Sequence, residues 1–228
     1  MGFRSIIDLF KQDNWTNDLV ETVNEMLELA ASMFDYAAGV TVDGQPDTDP
    51  QALLYDRDRR INMLERKIRR RVISRLSMRR VQAEVPTALI FMNVVKDGER
   101  LGDYIKNLHE IGDMMPPQPD RDLYRRWLAD PTAKIEGLFT TTRRAFSESD
   151  EELAGKVIQQ AKAEGRAYEK MIREITTSDL ATIDAVCLVL HLRFYKRLVA
   201  HMSNIATTVV MPVDLIDYYD EPEEFRTS

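Results

Sequence analysis

"VVKDGERLGDYIKNLHEI" runs from Val94 to Ile111, downstream of an apolar segment that opens near Pro86. Gly98, Glu99, Arg100, Gly102 and Asp103 interrupt the apolar run, yet Phe91, Val94, Leu101, Ile105 and Leu108 still fall on one helical face. Glu99, Asp103 and Asn107 stack one turn apart along a neighbouring side, so a carboxylate ladder lies beside the buried stripe rather than opposite it. Gly98 and Gly102 each cost about 1 kcal/mol against alanine in a helix, and their missing side chains let another backbone or a ligand approach. Two carboxylates a turn apart repel each other. A hard or borderline cation held by oxygen relieves that repulsion, and so does a solvated edge with Arg100 and Lys106 close by. Both readings remain open on the residues alone.

The same helical period extends outward. Leu19, Val23, Met26, Ala30, Met33 and Ala37 mark a first helix ended by "TVDGQPDTDP", and a second opens near Asp49 and Pro50 with Leu54, Ile61, Leu64, Ile68, Val72 and Leu76 on one side. Pro86 suits the first turn of a third helix reaching about Glu110. "GDMMPPQPD", Gly112 to Asp120, cannot continue a helix, and divides the chain into halves of residues 1–114 and 115–228. In the second half a short helix is predicted around Arg121–Leu128, then one over Ala133–Phe146. "SESDEELAGKVIQ" offers a cap followed by first-turn acids for a helix to about Ile175, and "TTSD" opens a last one running through Asp179 to Val210. Strand signals are nearly absent. The class is all-α, with two tandem three-helix bundles packed in spectrin-like fashion and related by a pseudo-twofold.

Charge is segregated. From Gln12 to Asp56 there are ten Asp or Glu and no Lys or Arg; from Arg57 to Arg80 there are eleven Lys or Arg against Asp58 and Glu65. The basic run resembles a phosphate-binding stripe, but an antiparallel hairpin of helices one and two would pair the blocks, each exposed pair contributing ~0–1 kcal/mol. Arg66, Arg69, Arg70 and Arg71 are the candidates for contact with an acidic or phosphorylated partner. The run holds no aromatic residue, which disfavours single-strand stacking, and the net charge of -7 excludes bulk nucleic-acid affinity. The tail "VDLIDYYDEPEEFRTS" reads as a solvated end, or as an acidic segment, Glu223 included, that covers the stripe.

One cysteine, Cys187, permits no disulfide framework or zinc finger and fits a cytoplasmic setting. No run reaches the roughly 18 apolar residues of a membrane span. "MGFRSIIDLFKQ" has no leader cleavage signal and carries Ile6 where myristoylation requires Ser or Thr. P-loop and GxGxxG motifs are missing. Lys106, Leu188 and Leu198 precede the three histidines where a di-iron Glu-x-x-His needs glutamate. His109 suits a helix end, and His191 and His201 read as structural. No nucleophile, base and orienter assemble, so an enzyme is not expected. The Met26, Met33 and Met92 faces read as core or adaptable interface.

"VVKDGERLGDYIKNLHEI" resembles the third-helix segment of the PhoU family, with Glu99 and Asp103 matching its E-x-x-x-D metal ligands. "DRDRRINMLERKI" is similar to the family's second-helix pattern through Asp58, Ile61, Asn62, Leu64 and Glu65. The resemblance implies a cytoplasmic, non-enzymatic regulator of phosphate uptake and starvation signalling. Its implied partners are a phosphate ABC transporter (through the ATPase subunit) or a sodium/phosphate transporter, and a phosphate-sensing histidine kinase; homodimers are a further expectation, with membrane contact only through the partner. It also implies one divalent or iron-type metal ion in the first bundle on Glu99 and Asp103, with Asn107, Asp58 and Glu65 as supporting ligands. In "RFYKRLVAHMSNIATTV" the second copy of the motif has Lys196 for the glutamate and Ala200 for the aspartate, while His201 and Asn204 remain. A lysine ammonium opposes a cation, so the second site is expected to be metal-free. The other readings are a helical scaffold or dimerisation module with no phosphate role, and nucleic-acid binding through Arg57–Arg80.

Overall fold

The computed structural model describes residues 14–78 and 82–218. The amino-terminal stretch read for leader and lipidation signals, Arg79 and Arg80, and the tail segment holding Glu223 lie outside the described residues. Among those residues the chain forms six α-helices and no strand: α1 Asn14–Ala38, α2 Asp56–Leu76, α3 Val85–Glu110, α4 Arg121–Glu148, α5 Glu151–Thr176 and α6 Thr182–Val210. Within each triplet, α1–α3 and α4–α6, every helix packs on the other two, while α3 lies against α6 and α1 against α4 across the halves. One hydrophobic cluster runs through both triplets. Phe34 of α1 marks the crossing, with its ring 5.8 Å from Phe139 of α4 and 5.6 Å from Tyr195 of α6.

Local chemistry sets most boundaries. Asp49 accepts from the Ala52 amide at 3.0 Å, starting a π-helical turn, Gln51–Tyr55, that leads into α2. Asp120 accepts from the amides of Asp122 and Leu123, and Asp150 from Leu153, capping α4 and α5 as acids at N-caps do. Pro86 stands in the first turn of α3.

Two boundaries differ from the expectation. Residues 121–148 form one helix with Pro131 inside it. Proline denies the Trp127 carbonyl its intrahelical donor, a penalty of about 3 kcal/mol. Burial outweighs it: Tyr124, Leu128, Ile135 and Leu138 on both sides of the proline are buried, Tyr124 donates to Asp184 at 2.9 Å, and the Thr132 hydroxyl lies 2.6 Å from that of Tyr195. "TTSD" closes α5 instead of opening α6. The hydroxyls of Thr176, Thr177 and Ser178 donate back to the carbonyls of Arg173, Glu174 and Ile175.

The glycines of α3 make room for side chains rather than for a backbone or a ligand. A Cβ on Gly98 would stand 3.1 Å from Met26 Cε; one on Gly102 would meet Asp58 Oδ1 at 3.2 Å and Ile61 Cδ1 at 3.3 Å. Met26 and Met33 are core, and Met92 is half-buried against it.

His191 on α6 is fully enclosed. Its Nδ1 carries the proton, because the partner at 2.8 Å is the Cys187 carbonyl, which can only accept. Burial pushes its pKa down to about 4, against the opposing effect of that hydrogen bond. The folded pKa thus lies below the unfolded value of about 6.5, so the unfolded chain takes up the proton first. The stability of the neutral histidine is complete above pH ~6.5 and is lost as pH falls toward 4. In urea titrations, the wild-type advantage over His191→Gln should therefore shrink steadily across that window; an advantage that stays constant would refute the buried neutral imidazole.

Candidate functional site

The face where α2 meets α3 gathers the acids of both motifs. Asp58, one turn into α2, is buried and receives the Lys106 ammonium at 2.9 Å and the Asn62 amide at 3.4 Å. Lys106 also reaches Asp103 at 3.1 Å. Desolvation pulls the lysine pKa down, but the hydrogen bonds and charges of Asp58 and Asp103 outweigh it and hold the ammonium above its ordinary value. Glu99 is half-buried. Desolvation, then Asp103, then Glu65 raise its carboxyl above the usual range, with Arg100 opposing. Arg100 lies 3.7 Å from Glu99 and 3.4 Å from Asp103, and Arg69 pairs with Glu65 at 2.7 Å. Asn107 follows one turn on, half-buried.

These oxygens have the chemistry an oxygen-seeking metal ion wants, and Asp58 Oδ1 is buried without a hydrogen-bond donor. Their arrangement suits an ammonium instead. Lys106 stands between Asp58 and Asp103, and among the described residues no three His, Cys, Asp or Glu side chains group around one point. A metal ion here has to displace Lys106.

The residues expected at the second motif part company. Lys196 pairs with Glu169 of α5, and Ala200 is exposed beside it. His201 and Asn204 turn to the other half of the molecule, where Asp97 of α3 accepts from them at 2.7 and 3.3 Å. The Tyr104 ring stacks on His201 at 5.4 Å. Asp97 is only 6 % exposed. Sequence reading passed it over, although it occupies a register position between Val94 and Leu101 on the apolar stripe, where a carboxylate needs a buried partner.

The basic run divides by contact. Arg60 pairs with Glu25 at 2.6 Å and Arg71 with Asp18 at 2.9 Å across the α1–α2 seam, while Arg57 donates to Ser32. Arg69 pairs within α2. Arg66 and Arg70 face outward and form no ion pair among the described residues, in line with Met63 and Ile73, which are 52 % and 63 % exposed. His109, in the last turn of α3, lies 3.1 Å from Asp47 and stacks on Tyr36.

Residues 23–112, a span that holds the whole α2–α3 cluster, match the family model described as the PhoU domain. That segment is a PhoU domain. Two relatives from Xylella fastidiosa, strains 9a5c and Temecula1, each named "Phosphate-specific transport system accessory protein PhoU homolog", are 26% identical over 213 residues. The match covers 87% of this chain and 84% and 83% of theirs. The crystal structure of PhoU from Pseudomonas aeruginosa shares the fold, with a TM-score of 0.73 at 22% identity over 88% of this chain and 96% of that one. Among the described residues no helix is long and apolar enough to cross a membrane.

The Asp97 cluster ties the two halves together where α3 meets α6. Asp97→Ala would leave His201 and Asn204 without their acceptor and should lower unfolding stability by about 1.5–3 kcal/mol. A loss below about 0.5 kcal/mol in denaturant titrations would contradict a structural role.

Proposed function

We propose that this chain is a non-enzymatic, cytoplasmic adaptor that regulates phosphate uptake by docking to a phosphate transporter, and to the sensor kinase that responds to phosphate. The observation that carries the reading is the outward row Met63, Arg66, Arg70 and Ile73 on α2. The helix that bears it belongs to the stretch matched to the PhoU domain, and the relatives are named as accessory proteins of phosphate-specific transport. Apolar residues interleaved with arginines that form no ion pair among the described residues suit an acidic partner surface: the apolar groups supply area, and the guanidinium groups supply orientation. Arg57, Arg60 and Arg71 turn to α1, which takes those three side chains out of a continuous nucleic-acid stripe. Deleting the gene should change phosphate uptake or polyphosphate content. Wild-type protein should restore it, and the Arg66→Glu/Arg70→Glu variant, folded to the same stability, should not. Restoration by that variant would refute the docking face. No effect of deletion would favour a scaffold without a phosphate role.

At Glu99 and Asp103 we infer a cation site shared with Lys106, in which one divalent or iron-type ion binds by displacing the ammonium. Glu65, Asp58 and Asn107 are the supporting oxygens. Metal analysis under native mass spectrometry should find at most one ion per chain, lost in Glu99→Gln/Asp103→Asn and more fully loaded in Lys106→Met, where the competitor is gone. Unchanged loading in both variants, or two ions per chain, would refute this.

A further inference from the structure

The second half carries the first half's acidic cluster with its charge reversed. Leu64 and Tyr168 are both buried, Glu65 of α2 acts on Glu99, and Glu169 of α5 pairs with Lys196, which stands where Glu99 does. That register sets α5 on α2. Lys162 then precedes Glu169 by the spacing that separates Asp58 from Glu65, and Arg166 takes the place of Asn62. On α6, Ala200 takes the place of Asp103, and Ser203 that of Lys106. Three cations and two small residues thus replace an acidic set and its internal lysine.

The physical consequence is space as well as charge. In the first half the Lys106 side chain lies between its acids. In the second half the equivalent region is a groove of about 440 Å³ between α5 and α6, lined by Lys162, Arg166, Glu169, Lys196, Ser203 and Asn204, with Gly165 and Ala200 contributing no bulk. Arg166 is exposed and forms no ion pair among the described residues. Two carboxylates oppose an anion there. Glu169 is already held by Lys196, whose hydrogen bond keeps it ionised. Asp217 lies at the margin, where burial and the charge of Asp97 raise its carboxyl above the ordinary value against Lys96 and His201.

We propose that the α5–α6 groove binds a phosphate-type oxyanion, with Arg166 and Lys162 as its principal charged donors and Lys196 and Ser203 completing the ring. A guanidinium fork matches two oxygens of a tetrahedral anion, and the ammonium groups add point charges that tolerate different orientations. The groove holds more than a single phosphate, so a phosphoryl-bearing small molecule or pyrophosphate fits better than the bare ion. The site does not depend on the transporter reading, because the isolated chain should bind by itself.

Calorimetric titration of the full chain with inorganic phosphate and with pyrophosphate tests the site. Wild type should show saturable one-site binding, tighter for pyrophosphate. Lys162→Glu/Arg166→Glu should weaken it by about 10- to 100-fold, and so should Ala200→Glu, which puts a carboxylate into the groove from the other helix. Arg66→Glu/Arg70→Glu, on the docking face, should bind as wild type does; that same variant fails in the uptake assay if the docking reading holds, so the two ideas fail separately. Absence of saturable binding by wild type at millimolar ligand, or a loss confined to the α2 variant, would overturn the proposal.

Discussion

A carboxylate buried between two helices needs its partners close by, and Asp97 finds both of them in the other half of the chain. An unpaired charge at that depth would cost several kcal/mol. The contact therefore specifies that α3 and α6 lie side by side, and with them the faces that look outward. Around it the Tyr104–His201 stack and the Phe34–Phe139–Tyr195 junction close the seam between the triplets with apolar surface. The single continuous core follows from that seam.

Once the third helices are joined back to back, each half presents a second-helix/third-helix face to its surroundings. In the first half that face concentrates acids around an internal ammonium, and in the second it opens into a cationic groove. The two faces share helical register but not chemistry. We propose that one scaffold thus serves a cation on one face, an anion on another and a partner protein along the exposed row of α2.

Much of this is legible in the chain itself. Helical period, few glycines and prolines, and acids at the N-caps of α4 and α5 specify elements locally, because each depends on neighbours within a few residues. The Glu99–Asp103 ladder and its nearby cations Arg100 and Lys106 are legible for the same reason. Pro131 and "TTSD" misled because each is a local break signal that context overrides: burial on both sides of Pro131 sustains α4, and the hydroxyls of Thr176 to Ser178 satisfy the end of α5 rather than the start of α6.

By itself the sequence determined an all-helical chain and the Glu99–Asp103 ladder, and it raised the expectation of a similar second half with Lys196 and Ala200 at the corresponding motif. Only the tertiary structure decided which side chains the α3 glycines accommodate, that Asp58 shares Lys106 with Asp103, and that His201 and Asn204 serve Asp97 instead of their own half. Helical spacing reports which residues share a face. The partner across that face comes from a distant segment, and only packing brings it there.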